Sequence, residues 1–352
     1  MNPFTILPGK VPTEYIPYAA ENMEIISTFD NPNPSTQAFI ITGIRGCGKT
    51  VFMTDIVNHY MDSKEFYTAR LHSEADIYDS IIVQLSQHAE LKKVMLSIAG
   101  TIGFSFGISG SLSIDKYSTP DKENLLRLLL QEAAKKKKKV LICIDEVSST
   151  PQIKGFLASF QTFVGENLPI FLLMTGLPEN IYKTQNSKNF TFLARVPKIT
   201  LTGLNVITVS EEYKRIFQCG SKQATKLATL TKGYAYAYQL LGYVVWPRKE
   251  ELKDEEISAE TLRLYDQKLR EGAYQIIWDN LSPKEREVVH AIAVTDGTTK
   301  SVREMCDMPS NELSVFYDRL TSKGVIEMKT YGRREFTLPR FGEFVVLMMN
   351  LI

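Results

Sequence analysis

The octet Gly43 to Thr50, GIRGCGKT, sets three glycines, a lysine and a threonine at the spacing GxxxxGKT directly behind an apolar run. Its flanks set the local fold. Ala38 to Thr42 is short and β-prone, while Val51 to Tyr60 carries Phe52, Ile56 and Tyr60 at helical spacing, so the expected order is strand, loop, helix. In that order the backbone N–H groups of Gly43, Ile44, Arg45, Gly46, Cys47, Gly48 and the first helical residues through Val51 curl around phosphate oxygens. The helix N-terminus adds partial positive charge. Lys49 is expected to reach the β- and γ-phosphates and Thr50 to ligate magnesium.

A phosphate loop of this kind requires a second acidic position for its metal. KKKKKVLICIDEV supplies one: Val140 to Ile144 is a continuous apolar strand of the sort buried on both faces of a parallel sheet, with Asp145 and Glu146 at its C-terminal end. Asp145 is expected to hold magnesium through its water shell, and Glu146 to orient or deprotonate the attacking water. The lysines 135–139 read as the solvated end of a helix that begins near Lys122. A further strand, Pro169 to Met174, ends at Thr175, whose hydroxyl either contacts the γ-phosphate or attacking water or caps the following turn. Lys198 to Thr202 reads as a fifth core strand. Arg195 stands just before it, as a γ-phosphate sensor for its own chain or a neighbour, or as a surface ion-pair partner.

Composition narrows the class. With 352 residues, 44% hydrophobic and 23% charged, two or three domains are expected, and a net charge of +1 advertises neither nucleic acid nor membrane while leaving a local basic patch open. Cys47, Cys143, Cys219 and Cys306 form no CxxC pair, which argues against a zinc site or disulfide framework. MNPFTILPGK lacks an apolar signal core, and Phe344 to Ile352 is too short to span a bilayer, so the expectation is a cytoplasmic protein with no membrane partner.

Downstream, Val209 to Asn280 reads as helices only, with Ser210 and Ser221 as candidate caps and Leu240, Leu241, Val244 and Val245 on one apolar side. It forms a small lid. Ser282, Pro283 and Glu285 form a capping box that opens a new helix. Helices over Ser301–Met308 and Ser310–Lys323, then two strands in VIEMKTYGRREFTL, give winged-helix order. Leu313, Phe316 and Leu320 are the expected core of the third helix. Arg319 and Lys323 on that helix and Arg333 and Arg334 near the wing tip are the candidate DNA contacts, with a protein-contact role as the alternative. Ile77 to Ser97 reads as one helix, and Thr101 to Asp115 as an exposed insertion.

Gly43 to Thr50, Asp145, Glu146, Thr175, Arg195 and TKGYAYAYQLLGY together resemble the AAA+ ATPases of the archaeal-type and origin-recognition-like branch, adjacent to the STAND ATPases. The resemblance covers most of the chain. It implies an α/β fold: a P-loop NTPase parallel-sheet core (residues 1–205), a helical lid (206–280) and a C-terminal winged helix (281–352). It implies ATP or ADP with Mg2+ and slow hydrolysis that switches the lid and C-terminal domain. Duplex DNA, a protein partner or further copies of the chain are the partners implied, and a STAND-like switch or scaffold is the alternative. It nominates Val11, Pro12 and Tyr15 for the adenine pocket, and Gly233 and Tyr234 for a GxP turn approaching the phosphates. Here Ala235 replaces the proline and no arginine stands on the adjoining turn, so the lid is not expected to contribute charge.

Overall fold

The computed structural model describes residues 1–7, 9, 11–72, 76–102, 119–186, 191–250, 252 and 257–351; all but the first two residues of the expected insertion Thr101–Asp115 lie outside them. Two compact units emerge, Tyr18–Thr42 with Lys49–Thr200, and Met1–Pro17 with Gly43–Gly48 and Leu201–Ile352.

The first unit is a mixed α/β layer structure. Helix α1 (Ala19–Asp30) precedes β1 (Ala38–Thr42), α2 (Lys49–Met61) and β2 (Phe66–His72); α3 (Ile77–Leu85), α4 (Ala89–Ile102) and α5 (Thr119–Lys135) lead to β3 (Lys139–Asp145). Then come α6 (Pro151–Gly165), β4 (Ile170–Gly176), α7 (Pro178–Gln185) and the short β5 (Lys198–Thr200). The strands pair in the order β2-β3-β4-β1-β5, every pair parallel. β4 is buried along its whole length and β3 from its second residue on, which is why both read as unbroken apolar runs rather than alternating ones. α2 packs Phe52, Met53, Ile56, Val57 and Tyr60 inward. β2 is a sheet strand that the sequence reading passes over. The single helix expected over Ile77–Ser97 is broken, because Gln87 and His88 donate to carbonyls only three residues back and tighten the last turn of α3 into a stop.

The second unit is mostly helical. It comprises α8 (Val206–Phe217), α9 (Ser221–Thr231), α10 (Ala235–Val245) and α11 (Ala259–Leu269), followed by a π-helical turn, Arg270–Tyr274, and α12 (Gln275–Asp279). Asn205, not Ser210, caps α8: its side chain accepts from the N–H of Ile207 at 2.8 Å and of Thr208 at 3.4 Å. Gly220 holds the cap position of α9, with Ser221 its first helical residue. The N-terminal segment lies on these helices. Phe4 seats its ring 5.6 Å from Phe217 and 5.7 Å from Tyr238, in space that only Gly242 leaves open.

Helices α13 (Pro283–Val294), α14 (Thr299–Cys306) and α15 (Ser310–Ser322) precede an antiparallel hairpin, β6 (Ile326–Thr330) and β7 (Arg333–Phe336), and α16 (Phe341–Asn350). The Ser282–Glu285 capping box is formed. α15 buries Leu313, Tyr317 and Leu320, so Tyr317 takes the core place expected of Phe316. Positions three and four apart share a helix face, and here the fourth falls inward. Gly297, at φ +72°, brings the α13–α14 turn against β7, where its carbonyl accepts from Arg334 N–H at 2.9 Å.

Candidate functional site

In the sheet unit, chemistry concentrates where β3 and β4 end. Asp145 ends β3 with 2% exposure, and adjacent on β4 the fully buried Thr175 donates its hydroxyl to one Asp145 oxygen. The same hydroxyl accepts the N–H of Glu146 at 3.1 Å, and the Thr175 carbonyl accepts that of Val147 at 2.7 Å. Thr175 therefore holds the acidic corner on both sides. Glu146 is exposed and left-handed, at φ +56°. A non-glycine residue held there costs on the order of 1–3 kcal/mol, a strain that persists only where the surroundings enforce it.

Two further residues complete this corner, and neither is legible in the sequence as a site residue. Arg70 on β2 lies 3.5 Å from the second Asp145 oxygen and donates at 2.7 Å to Thr54, whose hydroxyl donates at 2.7 Å to the Thr50 carbonyl in the first turn of α2. Gln84 fixes the Arg70 backbone, accepting its N–H at 2.8 Å and donating to its carbonyl at 2.7 Å. The start of α2 and the carboxylate on β3 are thus tied through one guanidinium. Thr50 and Asp145 offer hydroxyl and carboxylate oxygens, the donor type suited to magnesium. Lys49, 9% exposed, is the first residue of α2.

Gly43 to Gly48 groups with the helical unit, and its contacts there are specific. Gly46 and Gly48 take φ +77° and +98°, a region that side-chain-bearing residues avoid. At the start of α10, the Tyr234 hydroxyl donates to the Arg45 carbonyl at 2.7 Å, and the Tyr236 N–H donates to the Gly46 carbonyl at 3.1 Å. A Cβ on Gly46 would lie 2.2 Å from the Tyr234 oxygen. Burial pushes the Tyr234 phenol well above its usual range, so it stays a neutral donor. Gly233, at φ +73°, turns the chain into α10 where a Cβ would strike the Leu204 carbonyl at 2.2 Å. Ile44 abuts Gly324, after α15, at a distance no Cβ there would permit.

The remaining candidates are dispersed. Arg195 is exposed in the turn before β5, with no side-chain hydrogen bond or ion pair among the described residues; because β5 runs parallel to β1, it stands where the strands begin, opposite to Asp145. Pro12 is buried, and Val11 and Tyr15 are partly so; Glu14, between them, accepts from Arg215 on α8, while its carbonyl accepts from Gln239 on α10. The C-terminal cations are occupied internally. Lys323 pairs with Glu285 at 2.9 Å and donates to the Asn280 carbonyl at 3.0 Å, Arg333 pairs with Glu335 at 3.4 Å, and Arg334 lies 4.8 Å over the Tyr317 ring. Arg319 lies 5.7 Å over Phe316. Among the described residues no helix is long and apolar enough to cross a membrane.

Comparison with known proteins places this geometry. A family model described as a domain of unknown function (DUF8462) matches residues 271–345, and no curated protein matches. Among solved structures, the Walker-type ATPase PABY2304 of Pyrococcus abyssi is 15% identical with TM-score 0.64, covering 95% of this chain and 96% of its own. The ORC2 protein of Aeropyrum pernix, solved in ADPNP-ADP complexes, is 13% identical with TM-score 0.59, covering 98% and 97%. CDC6P from Pyrobaculum aerophilum is 14% identical with TM-score 0.50, covering 98% and 96%. The five-stranded parallel sheet is accordingly that of the P-loop NTPase fold, and the likeness to the archaeal Walker-type and Orc/Cdc6-type AAA+ ATPases covers nearly the whole chain.

Proposed function

We propose that the chain binds ATP, hydrolyses it slowly with magnesium, and uses the difference between ATP and ADP to reset its lid and C-terminal helices. One observation carries this reading: a complete GxxxxGKT at the β1–α2 turn accompanies a buried Asp145 followed by a strained, exposed Glu146 at the end of a central parallel strand. Backbone N–H groups of Gly43 to Val51 hold phosphate oxygens, and Lys49 neutralises the β- and γ-phosphates. Thr50 and Asp145 would hold the magnesium ion, which when bound would supply charge neutralisation on the phosphates. Glu146, the unburied carboxylate of the pair, orients and deprotonates the attacking water. Thr175 and Arg70 act as positioning residues, fixing Asp145 so that no reorganisation accompanies the reaction. Arg195, placed at the opposite edge of its own sheet, would serve a γ-phosphate bound by a neighbouring copy. Val11, Pro12 and Tyr15 remain the candidates for contact with the base, with Gly233 and Tyr234 supporting the loop.

The C-terminal segment, in winged-helix order, has two readings. Duplex DNA would be met by Arg319, Lys323, Arg333 and Arg334. The internal pairing of Lys323, Arg333 and Arg334 instead favours a switch whose C-terminal module meets protein, since each cation would have to leave an existing partner to reach a phosphate.

Two variants test the nucleotide reading. Lys49→Ala is expected to abolish the rise in melting temperature that ATP gives the wild type by linkage. Glu146→Gln is expected to keep that rise while hydrolysing ATP about 10²- to 10⁴-fold more slowly. An unchanged thermal shift in the first, or unchanged turnover in the second, removes the corresponding role.

A further inference from the structure

Between α11, the π-helical turn and α16 the helical unit forms an open pocket of ≈ 330 Å³ that none of the chemistry above uses. That volume is at the small end of the roughly 300–1,000 Å³ span of ligand pockets. Leu269, Tyr274, Phe344 and Leu347 give it an apolar floor, the first three buried and Leu347 44% exposed. The π-turn contributes both Arg270 and Tyr274 to the lining, and such turns concentrate at functional positions.

The charges around this floor do not balance locally. Both acids in the lining are already engaged: Arg340 forms a two-pronged contact with Asp266 and pairs with Glu343 at 3.3 Å. Gln267 is engaged as well, donating to Glu271 at 2.8 Å. The side chains of Arg263 and Arg270, in contrast, make no hydrogen bond or ion pair among the described residues. Two guanidiniums without partners among the described residues thus rim an apolar floor. Seven residues along a helix separate them by about 10 Å.

We propose that this pocket is a docking site for an acidic, extended segment of a partner protein, which seats one large apolar side chain on the floor and pairs carboxylates with Arg263 and Arg270. An extended chain advances about 3.3 Å per residue, so carboxylates about three residues apart span the two guanidiniums, whereas a small anion would engage one. The apolar floor offers nothing to a phosphate backbone. The site is separate from the β6–β7 hairpin and stands whether or not the chain hydrolyses ATP.

The test is fluorescence anisotropy of the full chain with a labelled peptide in which phenylalanine is flanked on both sides by glutamates. Saturable binding that weakens with salt, and drops at least about tenfold in the Arg263→Glu, Arg270→Glu double variant, is the expected result. Leu347→Glu, at an exposed position of the floor, is expected to weaken binding independently. Unchanged melting temperatures would show both variants folded. Equal binding of a peptide with glutamine in place of glutamate, no binding at low salt, or undiminished binding by the folded double variant would overturn the proposal. So would a preference for duplex DNA or for anionic vesicles lost in the same double variant, or a self-association of the chain lost in it.

Discussion

The ends of β3 and β4 and the β6–β7 hairpin both carry the charged residues that the sequence nominates for function, yet they are built differently. Asp145 is buried and receives Thr175 and Arg70, while the neighbouring Glu146 is exposed in a left-handed conformation. At the hairpin the cations are exposed or half-buried and share nearby acids and rings. The first arrangement fixes a carboxylate and leaves one free to react. The second is close to neutral on its own. A charge meant for a ligand is recognised less by its type than by whether the fold has already supplied it with a partner.

Arg195 puts that contrast to its strongest test, because it is exposed with no side-chain partner among the described residues, and by that criterion is available to a phosphate. Arg195→Ala is expected to fold and bind ADP normally but to hydrolyse ATP about 10³- to 10⁵-fold more slowly. Mixing it with Glu146→Gln should restore part of the activity, since one interface can then join an intact Glu146 to an intact Arg195. Full single-mutant activity would make Arg195 a surface residue.

Thr175→Val sharpens the other side. Losing the hydroxyl that holds Asp145 costs about 1–3 kcal/mol, or about 5- to 150-fold in kcat, with little change in ATP affinity. Thr175→Ser should recover most of the loss. Equal kcat in wild type and Thr175→Val would show that Asp145 needs no such support.

For the hairpin, duplex binding across salt concentrations decides. If Arg333 and Arg334 contact phosphates, replacing both with alanine should lower the salt slope by about one unit per lost contact, for every sequence tested. Wild-type chain that binds no duplex at low salt, with or without ATP, settles the module on protein.

The smallest effect is at Glu285. Burial would raise its carboxyl, but the bonds from Lys323 and Ser282 outweigh this and hold it below its ordinary 4.5. The stability it contributes is therefore present above about pH 4.5 and is lost as pH falls through the depressed value. Lys323→Ala should cost about 1 kcal/mol at neutral pH, and the melting temperatures of variant and wild type should converge in acid. A constant difference between them down to pH 3, well below the ordinary value, would remove the pair from the acid response.

By itself the sequence determined the elements whose signal is local. GxxxxGKT, the apolar runs of β3 and β4 with their terminal residues, and the Ser282 box each encode their structure within about ten residues, because backbone spacing and local hydrogen bonds decide them. Local readings failed where two solutions share a pattern, as with Phe316 and Tyr317 on α15 or Ser210 and Asn205 before α8. Only tertiary structure brought Arg70 and Thr54 to Asp145, for β2 pairs with a strand about seventy residues away and its arginine looks like any other until that pairing forms. It also turned Tyr234, the middle residue of the expected GxP turn, into the donor that secures the glycine loop, and left the Arg263 and Arg270 side chains without partners among the described residues beside an apolar floor. Which charges are satisfied is a property of side chains far apart in sequence, and so it is settled by packing.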